Sequence, residues 1–307
     1  MDTFGDCHAR FWFDNHDRND TVACDETAAK VSIAIHDGLM QLAREAELWR
    51  RRGVYPPIAD AEKALRAKVT AALFKAKVDS GDPAVQARLA QAQTGLDLVA
   101  KLIVDEAGGW ATDPATGTAL VWLEQWLDSG RQYTGVEITS DFSAKTRADL
   151  IAIRDFDGGD LRILIRDHKA KGQTVDPRFD NGILVRAIWA AGEIANPRAP
   201  WFLKNRGVRV NRNLIELETV NLMHGTGPDF ILRAQYTVEE LLPHRERLAE
   251  LMAEMDEVVQ QPAADYVTAS PSALCKSYCR FLHRCIPGQE FVATTYGTEA
   301  LAERIGS

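Results

Sequence analysis

From about Glu26 to Arg52 apolar residues recur every three to four positions, and Val31, Ile35, Leu39 and Leu42 form one stripe. This spacing predicts an amphipathic helix. Gly53 closes it and Pro56 and Pro57 follow, a normal stop signal. Residues 58–106 predict two further helices, broken near Ser80-Gly81-Asp82-Pro83, and helical character continues through Ala119 to Leu127. Near Gly130 the pattern changes. Val136 to Phe142, Arg147 to Arg154 and Leu161 to His168 are short and rich in β-branched residues, which predicts strands, with a hairpin turn at Asp157-Gly158-Gly159. A helix over Asn181 to Ile194, strands over Leu214 to Met223 and Phe230 to Tyr236, and a long helix over Val238 to Val259 complete the series. With no internal repeat, this order implies an α/β (α+β mixed) fold, a small central sheet flanked by helices. Residues 1–129 are expected to form a mainly helical region packing on a core of residues 130–307, as one continuous unit.

At 307 residues, 46% hydrophobic and 26% charged, the chain has the make-up of a globular protein with a real core. No apolar run approaches the roughly 18 residues that span a bilayer. The opening MDTFGDCHARFWF lacks the basic head and apolar stretch of a signal peptide, so a cytoplasmic location is expected. In a reducing compartment its five cysteines are not expected to be disulfide staples. Cys275, Cys279 and Cys285 fall within eleven residues, with Cys7 and Cys24 near the other end. A net charge of −8 argues against a protein that coats nucleic acid with its whole surface. Phosphate contacts would need a local patch, either Lys204, Arg206, Arg209 and Arg212 or Arg166, Lys169 and Lys171.

A turn centred on Gly158 sets Asp149 opposite Asp167, Ile151 opposite Ile165 and Ile153 opposite Ile163, all on one face because strand side chains alternate. Lys169 shares that face. Neighbouring carboxylates repel unless a cation sits between them, and a hard divalent ion is the usual solution. Such an ion lowers the pKa of bound water and neutralises charge on a phosphoryl oxygen, while an adjacent lysine stabilises the transition state.

The segment TRADLIAIRDFDGGDLRILIRDHKAK resembles the core of PD-(D/E)XK nucleases, an Asp on one strand followed by (D/E)-x-K on the next. The resemblance implies a restriction-endonuclease-like core in which Asp149, Asp167 and Lys169 are catalytic and the backbone carbonyl of His168 meets the metal. VSIAIHDGL is similar to the helix that supplies an extra histidine ligand in the RecB-like branch, which assigns that role to His36 and makes Mn²⁺ plausible beside Mg²⁺. CHARFWF resembles the cysteine-bearing opening of AddB and CRISPR-associated nucleases of that branch, in which one N-terminal and three C-terminal cysteines hold an iron–sulfur cluster. Here Cys7, Cys275, Cys279 and Cys285 would do so, with 4Fe–4S the implied type, Cys24 the alternative fourth ligand and zinc the alternative metal. The branch's Gln-x-x-x-Tyr motif is missing: in NGILVRAIWAAG, Val185 stands at the Gln position and Trp189 at the aromatic one, with Arg186 beside the gap as a phosphate contact.

The resemblance implies a DNase, an exonuclease or end-processing enzyme acting on single strands or duplex ends. Recombination, repair, CRISPR adaptation or phage DNA processing would supply its protein partners, and no membrane is involved. The competing class is a nucleic-acid-binding or assembly subunit that keeps the fold without turnover, and a third reading is a zinc protein with incidental hairpin acids.

Overall fold

The computed structural model describes residues 7–16, 27–107, 110–113, 116, 119–127, 135–155, 161–170, 173–195, 210–277 and 279–306. The chain divides into two compact units, Thr27–Leu248 and a smaller one formed by Met1–Glu26 with Ala249–Ser307. The change of sequence character near residue 130 falls within the range of the larger unit.

In the larger unit, α2 (Thr27–Arg52), α3 (Ile58–Lys75) and α4 (Pro83–Ala107) precede a mixed five-stranded sheet. Its strands are β1 (Val121–Leu127), β4 (Thr146–Asp155), β5 (Leu161–Lys169), β6 (Val210–Asn221) and β7 (Ile231–Tyr236), in that spatial order. Only β5 and β6 run parallel, joined through helix α5 (Asn181–Ala195), as a parallel crossover requires. Val31, Ile35, Leu39 and Leu42 of the predicted stripe are all buried, in one core with residues of α3 and α4 and with Leu150, Leu164 and Val220 of the sheet. Gly38 lets α2 and α3 touch, since a Cβ there would lie 2.7 Å from the Val69 side chain. On the alternate sheet face Ile151, Ile153, Ile163 and Ile165 are buried, and α5 packs on β4, β5 and β6.

Two elements differ from expectation. Residues 121–127 form edge strand β1 rather than a helix: VWLEQWL is rich in aromatic and β-branched residues, and pairing with β4 decides the conformation. The strand expected over 136–142 shrinks to a two-residue β2 (Val136–Glu137), paired with β3 (Ser143–Ala144) outside the main sheet. The β4–β5 register is the expected one, with Ile151 opposite Ile165 and Ile153 opposite Ile163.

The smaller unit contains α1 (His8–His16), the end of α6 (Leu242–Gln260), a short α7 (Ala273–Ser277), α8 (Ile286–Tyr296) and α9 (Thr298–Ile305). Trp12 and Phe13 of α1 pack with Val267, Cys279 and Phe281, and Trp12 Nε1 donates to the Gln261 carbonyl at 2.9 Å. No described helix is long and apolar enough to cross a membrane.

Candidate functional site

The β4–β5 ladder ends at Leu150↔Arg166, and the next step along the register sets Asp149 against Asp167. Both carboxylates are buried. Asp149 is gripped from two sides: the His168 amide donates to Oδ2 at 2.8 Å, and His36 Nε2 of α2 lies 2.9 Å from Oδ1. Burial opposes ionisation of Asp149, but hydrogen bonds and charge from His168 and His36 prevail and hold its pKa well below the usual range. Asp167 behaves oppositely, because burial and the Asp149 charge together raise its pKa despite Arg186 and Lys169.

Asp167 meets a cation at each oxygen, Lys169 Nζ at 2.5 Å from Oδ2 and Arg186 Nη1 at 2.8 Å from Oδ1. Neither Asp167 Oδ2 nor Arg186 Nη1 has an aligned hydrogen-bond partner, so charge holds them. Lys169 is also 2.8 Å from Asp180, which caps α5 by accepting from the Ile183 amide at 3.0 Å. Burial disfavours the ammonium, but Asp167 and Asp180 outweigh it and raise the Lys169 pKa. Lys169 is therefore a fixed cation in this arrangement.

Two neighbours, Glu124 and Asp180, escaped the sequence reading, and a third, Arg186, was named there without its partner. Glu124 of β1 has the register position opposite Asp149, so Glu124, Asp149 and Asp167 form a row of carboxylates across three adjacent strands. Its φ of 50° lies in the left-handed region and interrupts the ladder, a strained state that recurs at functional sites. His36, Asp37 and Glu124 place ligand atoms within 4.8 Å of one another. Asp180 and Arg186 are the other two, brought in by α5. An Asp ahead of a helical run was the visible signal for Asp180.

Some expected residues lie elsewhere. Arg166 is not part of a phosphate patch. It is 1% exposed, held by Glu106 at 2.7 and 2.9 Å and by Glu218 at 2.7 Å, because Leu164, Arg166 and His168 alternate onto the face covered by α2, α3 and α4. Lys171, Lys204, Arg206 and Arg209 lie outside the described residues, as does the Arg212 side chain. Val185, at the missing Gln position, is buried in the core, so α5 presents Arg186 to the acids instead.

In the smaller unit Cys7, Cys275, Cys279 and Cys285 line one cavity with Arg10, Phe13 and Gly288, while Cys24 lies outside the described residues. The thiols are free. Each sulfur meets a backbone amide: Ser270 donates to Cys7 Sγ at 3.4 Å, Ser272 to Cys275 Sγ at 3.5 Å, Phe281 to Cys279 and Gly288 to Cys285. Burial, with the nearby Cys275 and Cys285, pushes the Cys279 thiol up to about 11. Burial, with Cys7 and Cys275, also raises Cys285. Among the described residues, no three of these sulfurs lie within 4.8 Å of one another.

No curated protein and no solved structure matches the chain. A family model for the PD-(D/E)XK nuclease superfamily matches residues 1–286, nearly the whole length and both the acid–lysine hairpin and the cysteines. The chain belongs to the PD-(D/E)XK nuclease superfamily.

Proposed function

We propose that this protein is a metal-dependent DNA exonuclease or end-processing nuclease of the RecB-like, AddB-type branch, with a structural iron–sulfur cluster. The observation that carries the reading is the meeting of Asp149, Asp167, Lys169 and His36 at one end of the sheet. The donors on hand fit a hard divalent cation: the carboxylates of Asp37 and Glu124 and the His36 imidazole offer ligand atoms within 4.8 Å of one another, His36 also lies 2.9 Å from Asp149, and a buried Asp167 oxygen lacks an aligned donor. When bound, Mg²⁺ or Mn²⁺ would activate water and offset phosphoryl charge. The chain's own groups do the positioning. The His168 amide fixes Asp149, and Asp180 holds Lys169 protonated, ready to donate to a phosphate oxygen.

The four cysteines lining one cavity support a shared metal or cluster site. Each sulfur here is met by an amide donor, which suits a multi-iron cluster whose sulfurs accept hydrogen bonds.

One observation favours a second reading. Lys169 and Arg186 already neutralise Asp167, so an ion must share it, as expected of an assembly subunit that binds nucleic acid without turnover. Digestion of open and end-blocked linear DNA with Mn²⁺ separates the two. The nuclease reading expects loss of open ends by wild type and none by Lys169→Ala. Equal degradation by both proteins, or none by either, overturns it.

A further inference from the structure

We propose that Trp126, with Lys145 and Arg147, forms a stacking site for an unpaired nucleobase beside the metal centre, so that the substrate is a single-stranded end rather than a blunt duplex. The inference rests on the nuclease reading above and extends it to substrate class. Trp126 lies on edge strand β1 and is 56% exposed, a large apolar surface left in solvent. Two cations lie over its ring, Lys145 Nζ at 5.2 Å and the Arg147 guanidinium at 5.8 Å from the centroid. In a chain of net charge −8, such a pairing is not the average surface.

Register ties this platform to the acids. Trp126 faces Arg147 across the β1–β4 pair, and Arg147 precedes Asp149 by two residues on the same strand face. That offset is about 7 Å along the strand, the rise of about two stacked nucleotides. Arg147 also reaches back to Glu124, with Nη1 3.3 Å from Oε1, and Arg44 pairs with the same carboxylate. The line Lys145, Arg147, Asp149 thus runs from a cationic, aromatic surface into the carboxylate row. An indole offers a flat face to any base, whatever its identity, while lysine and arginine take the flanking phosphates. A base inside a duplex is stacked on both sides and only the end pair exposes a face, whereas every base of a single strand can offer one, so the platform favours unpaired nucleotides.

A fluorescein-labelled ten-nucleotide oligothymidylate and a blunt duplex, each titrated without divalent metal so that cleavage is silent, test the proposal by anisotropy. Trp126→Ala should weaken single-strand binding about 5- to 150-fold, the value of one stacked base. Trp126→Phe should recover much of the loss, and duplex binding should change little. Lys145→Ala should lower the salt slope by about one. Wild-type single-strand affinity in Trp126→Ala overturns the stacking site, as does equal loss for both DNA forms. If those results come with intact Mn²⁺-dependent cleavage, the nuclease reading stands and this inference alone fails. A wild-type protein that neither binds nor cuts DNA removes both.

Discussion

Glu124 occupies the register position across from Asp149, between the pairs Leu123↔Leu150 and Gln125↔Ala148, with a left-handed backbone at φ 50° that a side-chain-bearing residue rarely adopts. Residues held in such conformations cost about 1–3 kcal/mol. Its Arg44 and Arg147 partners are about half exposed and return little of that cost. Glu124→Gly should therefore stabilise the protein by about 1 kcal/mol while weakening Mn²⁺ retention. Thermal melts with and without Mn²⁺ read both effects, and a variant that loses stability yet keeps its metal response would contradict the assignment.

Asp180 both caps α5 and charges Lys169. Asn caps helices nearly as well as Asp, so Asp180→Asn isolates the electrostatic role. The expected outcome is a small loss of melting temperature, because the Lys169 pairing stabilises the fold, with nuclease activity down about 10- to 100-fold, the usual cost of losing a supporting partner. Asp180→Ala should in addition cost about 1 kcal/mol of stability.

The buried Arg166, Glu106 and Glu218, with the exposed Arg233 paired to Glu218 at their edge, predict an acid-sensitive fold. Burial opposes ionisation of Glu218, yet Arg166 and Arg233 hold its pKa below the ordinary 4.5. A carboxylate depressed on folding contributes stability that is present above its unfolded pKa and lost as pH falls through its folded one. Glu218→Gln should cost about 3 kcal/mol at neutral pH, since it leaves Arg166 partly uncompensated. Urea denaturation of both proteins across this range should show the gap closing as pH drops below 4.5. A constant gap would mean that Glu218 does not carry the effect.

Cys279 stands in the cavity shared by the four thiols. Cys279→Ala, purified without oxygen, should lose the brown visible absorbance expected of an iron–sulfur cluster and unfold at lower temperature. An unaltered iron content and melting curve would rule the cluster out of this cavity.

Much of the candidate site was legible before any coordinates. The Asp157-Gly158-Gly159 turn and the alternation of Ile151, Ile153, Ile163 and Ile165 specify the hairpin register, because slipping by one residue would turn every isoleucine to the wrong face. That constraint carried Asp149 to Asp167 and Lys169. The stripe on α2 likewise oriented His36, since burying Val31, Ile35 and Leu39 leaves few rotations of the helix.

The strand at 121–127 was misread because a short apolar run has no distinct period, and its conformation comes from pairing with β4. Glu124 was hidden for the same reason. Arg166 looked like a surface cation because its counter-charges stand 60 and 52 residues away in the chain. Local patterning in this protein thus dictates which faces are buried and the pairing of its central hairpin, since both follow from short-range periodicity. Which charges meet across β1, β4, β5 and α5 arises from contacts between distant segments, and no spacing along the chain encodes them.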